Sequence, residues 1–503
     1  MLLGNLISNF FGRAVVTLGT YLSTPFLIRI FGLDSFGIIS LSLMLFIILT
    51  GLDYGITQAV NRYVSGSANN QVIRNQASKL ISYLEIIYLS LFIIILINLD
   101  MISNAVIQNW LQLEANSGKN LYADAIFWLI LGVSIRWYAG LYRSVLFGSE
   151  RHILANKIDA LSLVVAYFSP ILINIYYPIT LAIFFKIQAI VWAIYFLCYY
   201  KKSRDERFRL GIKFLNLSKG THLPLDYGIK ISAVAILTVG LGNIDKVFVS
   251  ATLPLADFAV YSICAIFGSA VVLSVSPIAT TLMPRISKFW LKNDIDAVKN
   301  YYLTFTHLAG LVILSSTAIL IFNSAFILEL WMGSESVKPA SVYLASILTI
   351  SGLFSGLGYT SNCIQVASGK LSITITLLAS ALFIFVISLP TTFNTWGLLG
   401  IGFTWLAINL FYFLISLIFT CLWILDDRDI LIRITKNLMA ILLLVTISIS
   451  ISYFLLNMIF YFSEISNPTP LSYLITSSLA VIAGLFFCQY RWLKSFMLEF
   501  KKQ

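Results

Sequence analysis

Nine charged side chains lie within long apolar stretches of the sequence, where a charge needs a specific role. The cations are Arg13, Arg29, Arg136, Lys186, Lys230 and Lys246, and the acids are Asp53, Glu85 and Asp245. At the centre of a lipid bilayer each such charge costs at least ~2.5 kcal/mol. Because arginine grips phosphate through two parallel hydrogen bonds, a surplus of cations facing a water-filled cavity would attract an anion such as phosphate.

The sequence leaves two interpretations of these charges open. In the first, cations and acids form salt bridges that tie neighbouring helices together. Arg13 and Asp53 are both predicted ~12 to 14 Å from the same membrane face on adjacent helices, so they are able to pair. In the second interpretation, Arg13, Arg136 and Lys186 bind the anion, while Asp53 and Asp245 act in gating or ion coupling.

Four further charges have less specific positions. Arg29 and Lys230 lie near the ends of apolar stretches, where a long side chain reaches the membrane surface. Lys246 directly follows Asp245, and adjacent helical residues point about 100° apart, so these two need not pair. We count Arg29 and Lys246 as additional candidates for anion binding and Glu85 as an additional candidate for gating or ion coupling.

The elements that position these charges are predicted to be membrane-spanning helices. Of the 503 residues, 59% are hydrophobic and 11% are charged, and the mean hydropathy is +0.90; an average soluble protein is about 25% charged. In lipid only a helix satisfies its backbone groups within one segment, so the fold class is all-α. Fourteen spans are predicted at 5–31, 36–62, 79–98, 124–148, 155–177, 179–200, 226–252, 256–284, 300–325, 341–367, 371–392, 397–424, 438–461 and 470–489.

The cations outside the spans predict the orientation of the chain. With fourteen spans, the loops on the side of the termini and the span ends that flank them hold 25 lysines and arginines, whereas the opposite loops hold only Lys119 and Lys338. Positive loops stay on the cytoplasmic side of a membrane. Both termini are therefore predicted to be cytoplasmic, in a multi-pass membrane protein.

A polar segment near the middle of the chain predicts a division into two halves. We expect an N-terminal six-helix bundle at 1–200, a cytoplasmic linker at 201–222 and a C-terminal six-helix bundle at 223–425. Residues 426–503 would add two helices and a cytoplasmic tail. Leu33–Ser40 is similar to Leu255–Ser262 at an offset of 222 residues, which favours a parallel repeat of the two halves.

Several kinds of enzyme and metal site are disfavoured by the sequence. No loop exceeds about 25 residues, which leaves no room for the folded catalytic domain of a membrane glycosyltransferase or polymerase. The sequence has no phosphate-binding GxxxxGK[ST] loop, and its cysteines form no CxxC pair. His307 lies within a predicted span, where packing is the simpler interpretation and proton transfer the alternative. We therefore expect no catalytic residues, metal or cofactor.

Short glycine-containing motifs resemble those of a known family. Phe31–Gly37 (FGLDSFG) followed by Gly51–Val60 (GLDYGITQAV) resembles the opening of the Wzx-type O-antigen and polysaccharide flippases of the multidrug/oligosaccharidyl-lipid/polysaccharide superfamily. Asn243–Lys246, Pro284–Arg285 and Asn394–Gly402 fit the same pattern. This resemblance implies two six-helix bundles in a V-shaped arrangement around a cationic cavity that opens to either face in turn.

The resemblance also implies a substrate. Such a protein moves undecaprenyl-diphosphate-linked oligosaccharide, an O-antigen or capsule repeat unit, from the cytoplasmic to the periplasmic leaflet, driven by a proton or sodium gradient. The diphosphate would bind Arg13, Arg136 and Lys186, with Arg29 and Lys246 as additional candidates. Expected partners are membrane lipids, a polysaccharide polymerase and a chain-length regulator, with no nucleic acid, and the protein would be a monomer. The alternatives are a lipid II-type flippase, a cation-coupled drug antiporter and, less favoured by the short loops, a membrane polysaccharide polymerase.

Overall fold

The computed structural model describes residues 2–68, 70–112, 119–214, 216 and 226–462. Within them the chain is almost entirely helical, and an isolated bridge between Gln112 and Pro254 is the single extended pairing. The side chains of Arg13 and Lys230 and the predicted span 470–489 lie outside what is described. The α-helices are α1 (Leu2–Leu52), α2 (Tyr54–Gly66), α3 (Gln71–Ile97), α4 (Leu99–Ala105), α5 (Lys119–Gly148), α6 (His152–Tyr176), α7 (Leu181–Leu210), α8 (Asp226–Thr252), α9 (Leu255–Leu291), α10 (Ile295–Phe322), α11 (Ser324–Met332), α12 (Pro339–Ala367), α13 (Leu371–Trp396), α14 (Leu398–Phe419) and α15 (Arg428–Phe462).

The helices confirm the predicted membrane fold. Twelve segments of the described chain are long and apolar enough to cross a bilayer. One of them, Gly19–Leu52, has 34 residues, or about 51 Å at 1.5 Å per residue, whereas the hydrocarbon layer is about 30 Å thick. It contains parts of the first two predicted spans. Each of the first thirteen predicted spans thus lies largely within helix, and the second, 36–62, is divided at Asp53 between α1 and α2.

The motif Phe31–Gly37 divides α1 into two arms. Gly32 has φ 79° and ψ 172°, a conformation outside the helical region that glycine adopts without steric cost. Gly37 allows close packing. A Cβ atom there would lie 2.5 Å from the backbone oxygen of Leu255. The two similar segments, 33–40 and 255–262, are therefore in direct contact with each other.

The contacts divide the chain into two units, Met1–Ser262 and Ile263–Gln503. In the first unit α5 packs along α7, α1 packs on α6, and α8 packs against α1 and α2. In the second unit α12 lies against α10 and α14, and α10 packs against α15. The repeat boundary predicted at 201–222 stays a prediction, and the structure adds that α7 remains helical as far as Leu210.

The tight approach at Gly37 makes a testable prediction about stability. We expect Gly37→Ala to destabilise the protein by about 1 to 3 kcal/mol, because the new methyl group overlaps a backbone oxygen that has no freedom to rotate away. Gly140→Ala in α5 is the matched control, since a Cβ atom there meets nothing within 4 Å. Thermal unfolding of the detergent-solubilised variants measures the difference. Equal melting temperatures for the two variants would contradict the packing described here.

Candidate functional site

Arg136 on α5 is held between two aromatic rings. Its guanidinium carbon lies 3.6 Å from the ring centre of Phe46 on α1 and 4.2 Å from that of Trp192 on α7. Arginine stacks on aromatic faces in this way because the ring faces carry partial negative charge. Among the described residues Arg136 forms no ion pair and no hydrogen bond. The in-plane N–H donors of its guanidinium are therefore available to an anion.

Close packing of α5 and α7 brings Trp192 to this position. A Cβ atom on Gly132, one turn before Arg136, would lie 3.4 Å from both the Cα atom of Ala189 and Cδ1 of Trp192. A Cβ atom at these distances would be in ordinary van der Waals contact, so the two helices pack closely at this point. The buried amide nitrogen of Gln188, on the same stretch of α7, has no hydrogen-bond partner in the part of the chain that is described. The first unit thus contains a cation without an ion pair and a buried amide without a hydrogen-bond partner in the described chain.

Asp53 lies at the break between α1 and α2. Its backbone, with φ −99° and ψ 1°, is not helical, and its side chain is 6% exposed. The hydroxyl group of Tyr88 donates a hydrogen bond to this carboxylate. Tyr88 in turn stacks on Trp137, with ring centres 4.6 Å apart and an angle of 18°. Trp137 directly follows Arg136, so α5 presents the carboxylate cluster and the stacked cation on different faces.

Asp245 and Lys246 form a second charged group, close to the end of α8. The Lys246 ammonium lies 3.4 Å from Oδ2 of Asp245 and 3.0 Å from the backbone oxygen of Gly242. Asp245 is buried and accepts a hydrogen bond from the hydroxyl group of Tyr261. The long lysine side chain folds back over its own helix, and so these adjacent residues pair although helical geometry alone does not require it.

Glu85 pairs with a residue that the sequence assigned to a polar linker. Nη1 of Arg207 donates to the Glu85 carboxylate at 2.5 Å, and the Arg207 guanidinium carbon lies 4.0 Å from the ring centre of Phe214. The Arg207 side chain is 1% exposed. Charge density in the segment 201–222 suggested a solvated strip, but the extension of α7 carries this arginine back against α3. Glu85 therefore does not neutralise Arg136.

Asp159 is the remaining carboxylate near Arg136. Nη2 of Arg143 lies 2.8 Å from its Oδ2 atom, and the hydroxyl groups of Tyr195 and Tyr199 donate to Oδ1 at 3.0 and 2.8 Å. One carboxylate thus receives hydrogen bonds from one cation and two phenols. Among the described residues its ion pair is with Arg143 and not with Arg136.

Lys186 and Arg29 have exposed side chains. Lys186 lies on the side of α7 that also exposes Ile183, Ile190 and Ile194, and its ammonium is 5.5 Å from the ring centre of Trp128. An exposed isoleucine stripe is typical of a lipid-facing helix, on which a lysine extends to the membrane surface. Arg29 shares an exposed face of α1 with Phe26. The structure thus separates both residues from Arg136.

The aromatic residues around Arg136 and Asp53 were not identifiable from the sequence. Phe46, Trp192, Tyr88 and Trp137 belong to a chain in which 14% of all residues are aromatic. Tyrosine and tryptophan at that frequency are the ordinary packing residues of a membrane protein, so no spacing singles these four out. The one local signal is that Trp137 follows a deep arginine directly.

Comparison with solved structures places this architecture among known transporters. An inward closed conformation of the lipid II flippase MurJ matches 98% of this chain and 100% of its own, with a TM-score of 0.68 and 12% sequence identity. An inward-facing multidrug resistance transporter of the MATE family, in the MOP superfamily, matches 84% of this chain and 96% of its own, with a TM-score of 0.63 and 14% identity. The chain has the fold of the MOP-superfamily transporters.

A third MOP-superfamily member shows that this fold accommodates different sites. A transporter from Pyrococcus furiosus, described as having a binding pocket of reverse polarity, matches 84% of this chain and 95% of its own, with a TM-score of 0.53 and 14% identity. No family model matches the sequence, and no curated protein sequence matches it. At such low identity the MOP likeness establishes the fold, and the substrate has to be argued from the residues of this chain.

The Glu85–Arg207 pair makes a prediction that separates structural from functional charges. We expect Glu85→Leu to lower the free energy of unfolding by about 3 kcal/mol, because it leaves the Arg207 guanidinium buried without a counter-charge. The double variant Glu85→Leu/Arg207→Met removes both charges and should recover most of that loss. Chemical denaturation in detergent provides the measurement.

An exposed pair on the same helix provides the control for this experiment. Lys202 and Asp205 on α7 are 3.7 Å apart and both well exposed, so Asp205→Asn should change stability by less than about 1 kcal/mol. A single Glu85→Leu variant as stable as Asp205→Asn would show that Arg207 is not held by this pair.

Proposed function

We propose that the protein is a flippase that moves undecaprenyl-diphosphate-linked oligosaccharide across the bacterial inner membrane, from the cytoplasmic to the periplasmic leaflet. The observation that carries the proposal is Arg136, a cation stacked between Phe46 and Trp192 with no carboxylate on its guanidinium edge. A diphosphate supplies the planar pairs of oxygen acceptors that this edge can bind. The attraction between a guanidinium and phosphate oxygens is stronger where water is excluded than in bulk water.

The surrounding acids favour an anionic substrate over a cationic one. Glu85 is paired with Arg207, Asp159 with Arg143, and Asp245 with Lys246. Asp53 differs from these three acids, because it accepts a hydrogen bond from a phenol, the hydroxyl group of Tyr88. A site for a cationic drug would instead require unpaired carboxylates around an open space. For this reason we favour the flippase over the cation-coupled drug antiporter.

The extent of the structural likeness agrees with a lipid-linked substrate. The lipid II flippase structure leaves about 2% of this chain unmatched, roughly ten residues, so the match has to include most of α15. The multidrug transporters leave 14% to 16% of the chain unmatched. A lipid II-type flippase is accordingly the second candidate, and both candidates would act on a diphosphate attached to a polyprenyl chain.

The other residues predicted to form the site are proposed to have different roles. Arg13 is proposed to act with Arg136 on the diphosphate, and Asp53, held by Tyr88 at the helix break, is proposed to couple transport to a proton or sodium gradient. Lys246 is engaged with Asp245, which suits a gating role for the pair better than binding of substrate. Lys186 and Arg29 lie on exposed faces and are proposed to contact lipid phosphates at the membrane surface.

Substitution of Arg136 tests the proposal. We expect Arg136→Met to lower export of surface polysaccharide at least about tenfold in a deletion strain, with lipid-linked glycan accumulating on the cytoplasmic leaflet, because the diphosphate loses a charge-assisted bidentate partner. Arg136→Lys keeps the charge but not the planar fork and should be intermediate. Because Arg136 balances no described acid, both variants should accumulate in the membrane at normal levels.

Lys186→Met is the matched control for these variants. It also removes one cation from the first unit, but from an exposed face of α7 that carries isoleucines. We expect export within about twofold of the native protein, since a single exposed charge is worth little. If Arg136→Met exports normally while being expressed normally, the proposed site is wrong.

A contact at the far end of α8 is proposed to open during transport. The indole nitrogen of Trp110 donates to the hydroxyl group of Ser250 at 3.0 Å, and the amide nitrogen of Gln112 donates to the backbone oxygen of Ala251 at 3.1 Å. In the predicted orientation this is the periplasmic end of the helix. Release of a substrate to that side requires these hydrogen bonds to break.

Cross-linking tests this gating contact. In a variant without native cysteines, we expect Trp110→Cys/Ser250→Cys joined by a short bifunctional thiol reagent to stop export, and a reductant that cleaves the linker to restore it. Each single cysteine variant treated in the same way should keep transporting. Undiminished export by the fully cross-linked protein would show that this end of α8 does not move during transport.

A further inference from the structure

A polar cavity in the second unit lies apart from the charges discussed above. Its volume is about 240 Å³, and it is lined by Leu303, Thr304 and His307 of α10 and by Arg433 and Asn437 of α15. Four of these five residues have polar side chains, although both helices are otherwise apolar enough to cross a membrane. A group of polar residues converging from two membrane helices indicates a binding site. We call it the α10–α15 cavity.

The membrane depth of the cavity follows from its neighbours in the chain. Lys299 at the start of α10 is 2.9 Å from Asp427, which directly precedes α15, and Trp423 nearby is 71% exposed. A charged pair and an exposed tryptophan are typical of the membrane–water boundary. Counted from Lys299 and Asp427 at 1.5 Å per residue, the lining residues lie about 6 to 15 Å further into the membrane.

Arg433 has no protein counter-charge at this depth. It forms no ion pair or hydrogen bond with any residue that the structure describes. Asp429 precedes it by one turn, at a spacing that often produces an ion pair, yet the two are not within ion-pair distance. Thr304 and Asn437 likewise make no hydrogen bond within the described chain. A cation and two neutral polar groups thus share one cavity without an acid.

From this arrangement we infer that the α10–α15 cavity binds the phosphate group of an anionic membrane phospholipid. Arg433 supplies the charge, and Thr304 and Asn437 supply hydrogen-bond donors for the phosphate oxygens. The site would secure a resident lipid at the contact between α10 and α15. None of its lining residues belongs to the proposed substrate site, and the inference does not depend on the proposed function.

The surface beside the cavity favours a lipid over a soluble anion. Leu443 and Ile447 are exposed further along α15, within about 80° of Arg433 around the helix. Acyl chains of a lipid whose phosphate lies at Arg433 would cover these side chains. The cavity volume of about 240 Å³ is also smaller than the 300 to 1,000 Å³ typical of sites that enclose a whole small molecule. A phosphate headgroup fits such a space, and the remainder of the lipid stays in the bilayer.

Binding of defined lipids to the purified full-length protein tests the inference. After delipidation in detergent, the protein is titrated with fluorescent phosphatidylglycerol, and unlabelled phosphatidylglycerol, inorganic phosphate or farnesyl diphosphate is added as competitor. We expect Arg433→Gln to raise the dissociation constant at least about tenfold, because the charge-assisted hydrogen bonds are lost. Thr304→Val should weaken binding in the same direction without altering the net charge, which keeps the test valid if Arg433→Gln fails to fold.

Arg428→Gln is the matched control, since it removes the same charge from the same helix. Arg428 is exposed and lies five residues earlier, about 140° around α15 from Arg433. We expect this variant to bind phosphatidylglycerol within twofold of the native protein. Equal losses in Arg428→Gln and Arg433→Gln, or unchanged binding in Arg433→Gln, would overturn the inference. Competition by inorganic phosphate or farnesyl diphosphate as strong as by phosphatidylglycerol would also overturn it, because the occupant would then not be a phospholipid.

Discussion

The proposed function depends on the stacking of the Arg136 guanidinium between Phe46 and Trp192. Aromatic faces stabilise a cation while leaving its hydrogen-bond donors free, which a carboxylate partner would not do. The arrangement requires three helices to meet closely at one depth. Gly132 lies where α5 and α7 pack closely, and a Cβ atom there would be 3.4 Å from Trp192.

The acids of the first unit show the complementary pattern. Arg207 and Arg143 each neutralise a carboxylate, and these pairs join helices at the end of the unit that the charge distribution predicts to be cytoplasmic. Asp53 differs, because it accepts a hydrogen bond from the hydroxyl group of Tyr88 and its backbone lies at a helix break. A fold in which the structural charges are paired and a cation remains stacked is suited to hold an anion inside a membrane.

The sequence predicted the helices much better than it predicted the contacts between their charges. Membrane spans follow from length and hydropathy alone, and Gly32 shows that the FGLDSFG motif marks a true break in the chain. Which charged side chains pair depends on which helix faces are in contact and on how far each helix extends. Charge density placed Arg207 in a solvated linker, yet the extension of α7 buries it against Glu85. Lys186 was predicted to bind the anion together with Arg136, but the structure puts it on an exposed isoleucine face.

The most direct measurement is substrate choice by the purified protein in proteoliposomes. One set of vesicles carries a fluorescent polyprenyl-diphosphate-linked oligosaccharide, whose transfer between leaflets is followed by quenching with a membrane-impermeant reductant. A second set carries a cationic dye and is followed for its efflux under the same ion gradients. An unpaired Arg136 predicts transfer of the diphosphate-linked lipid and no movement of the dye. Dye transport without lipid transfer would contradict the account.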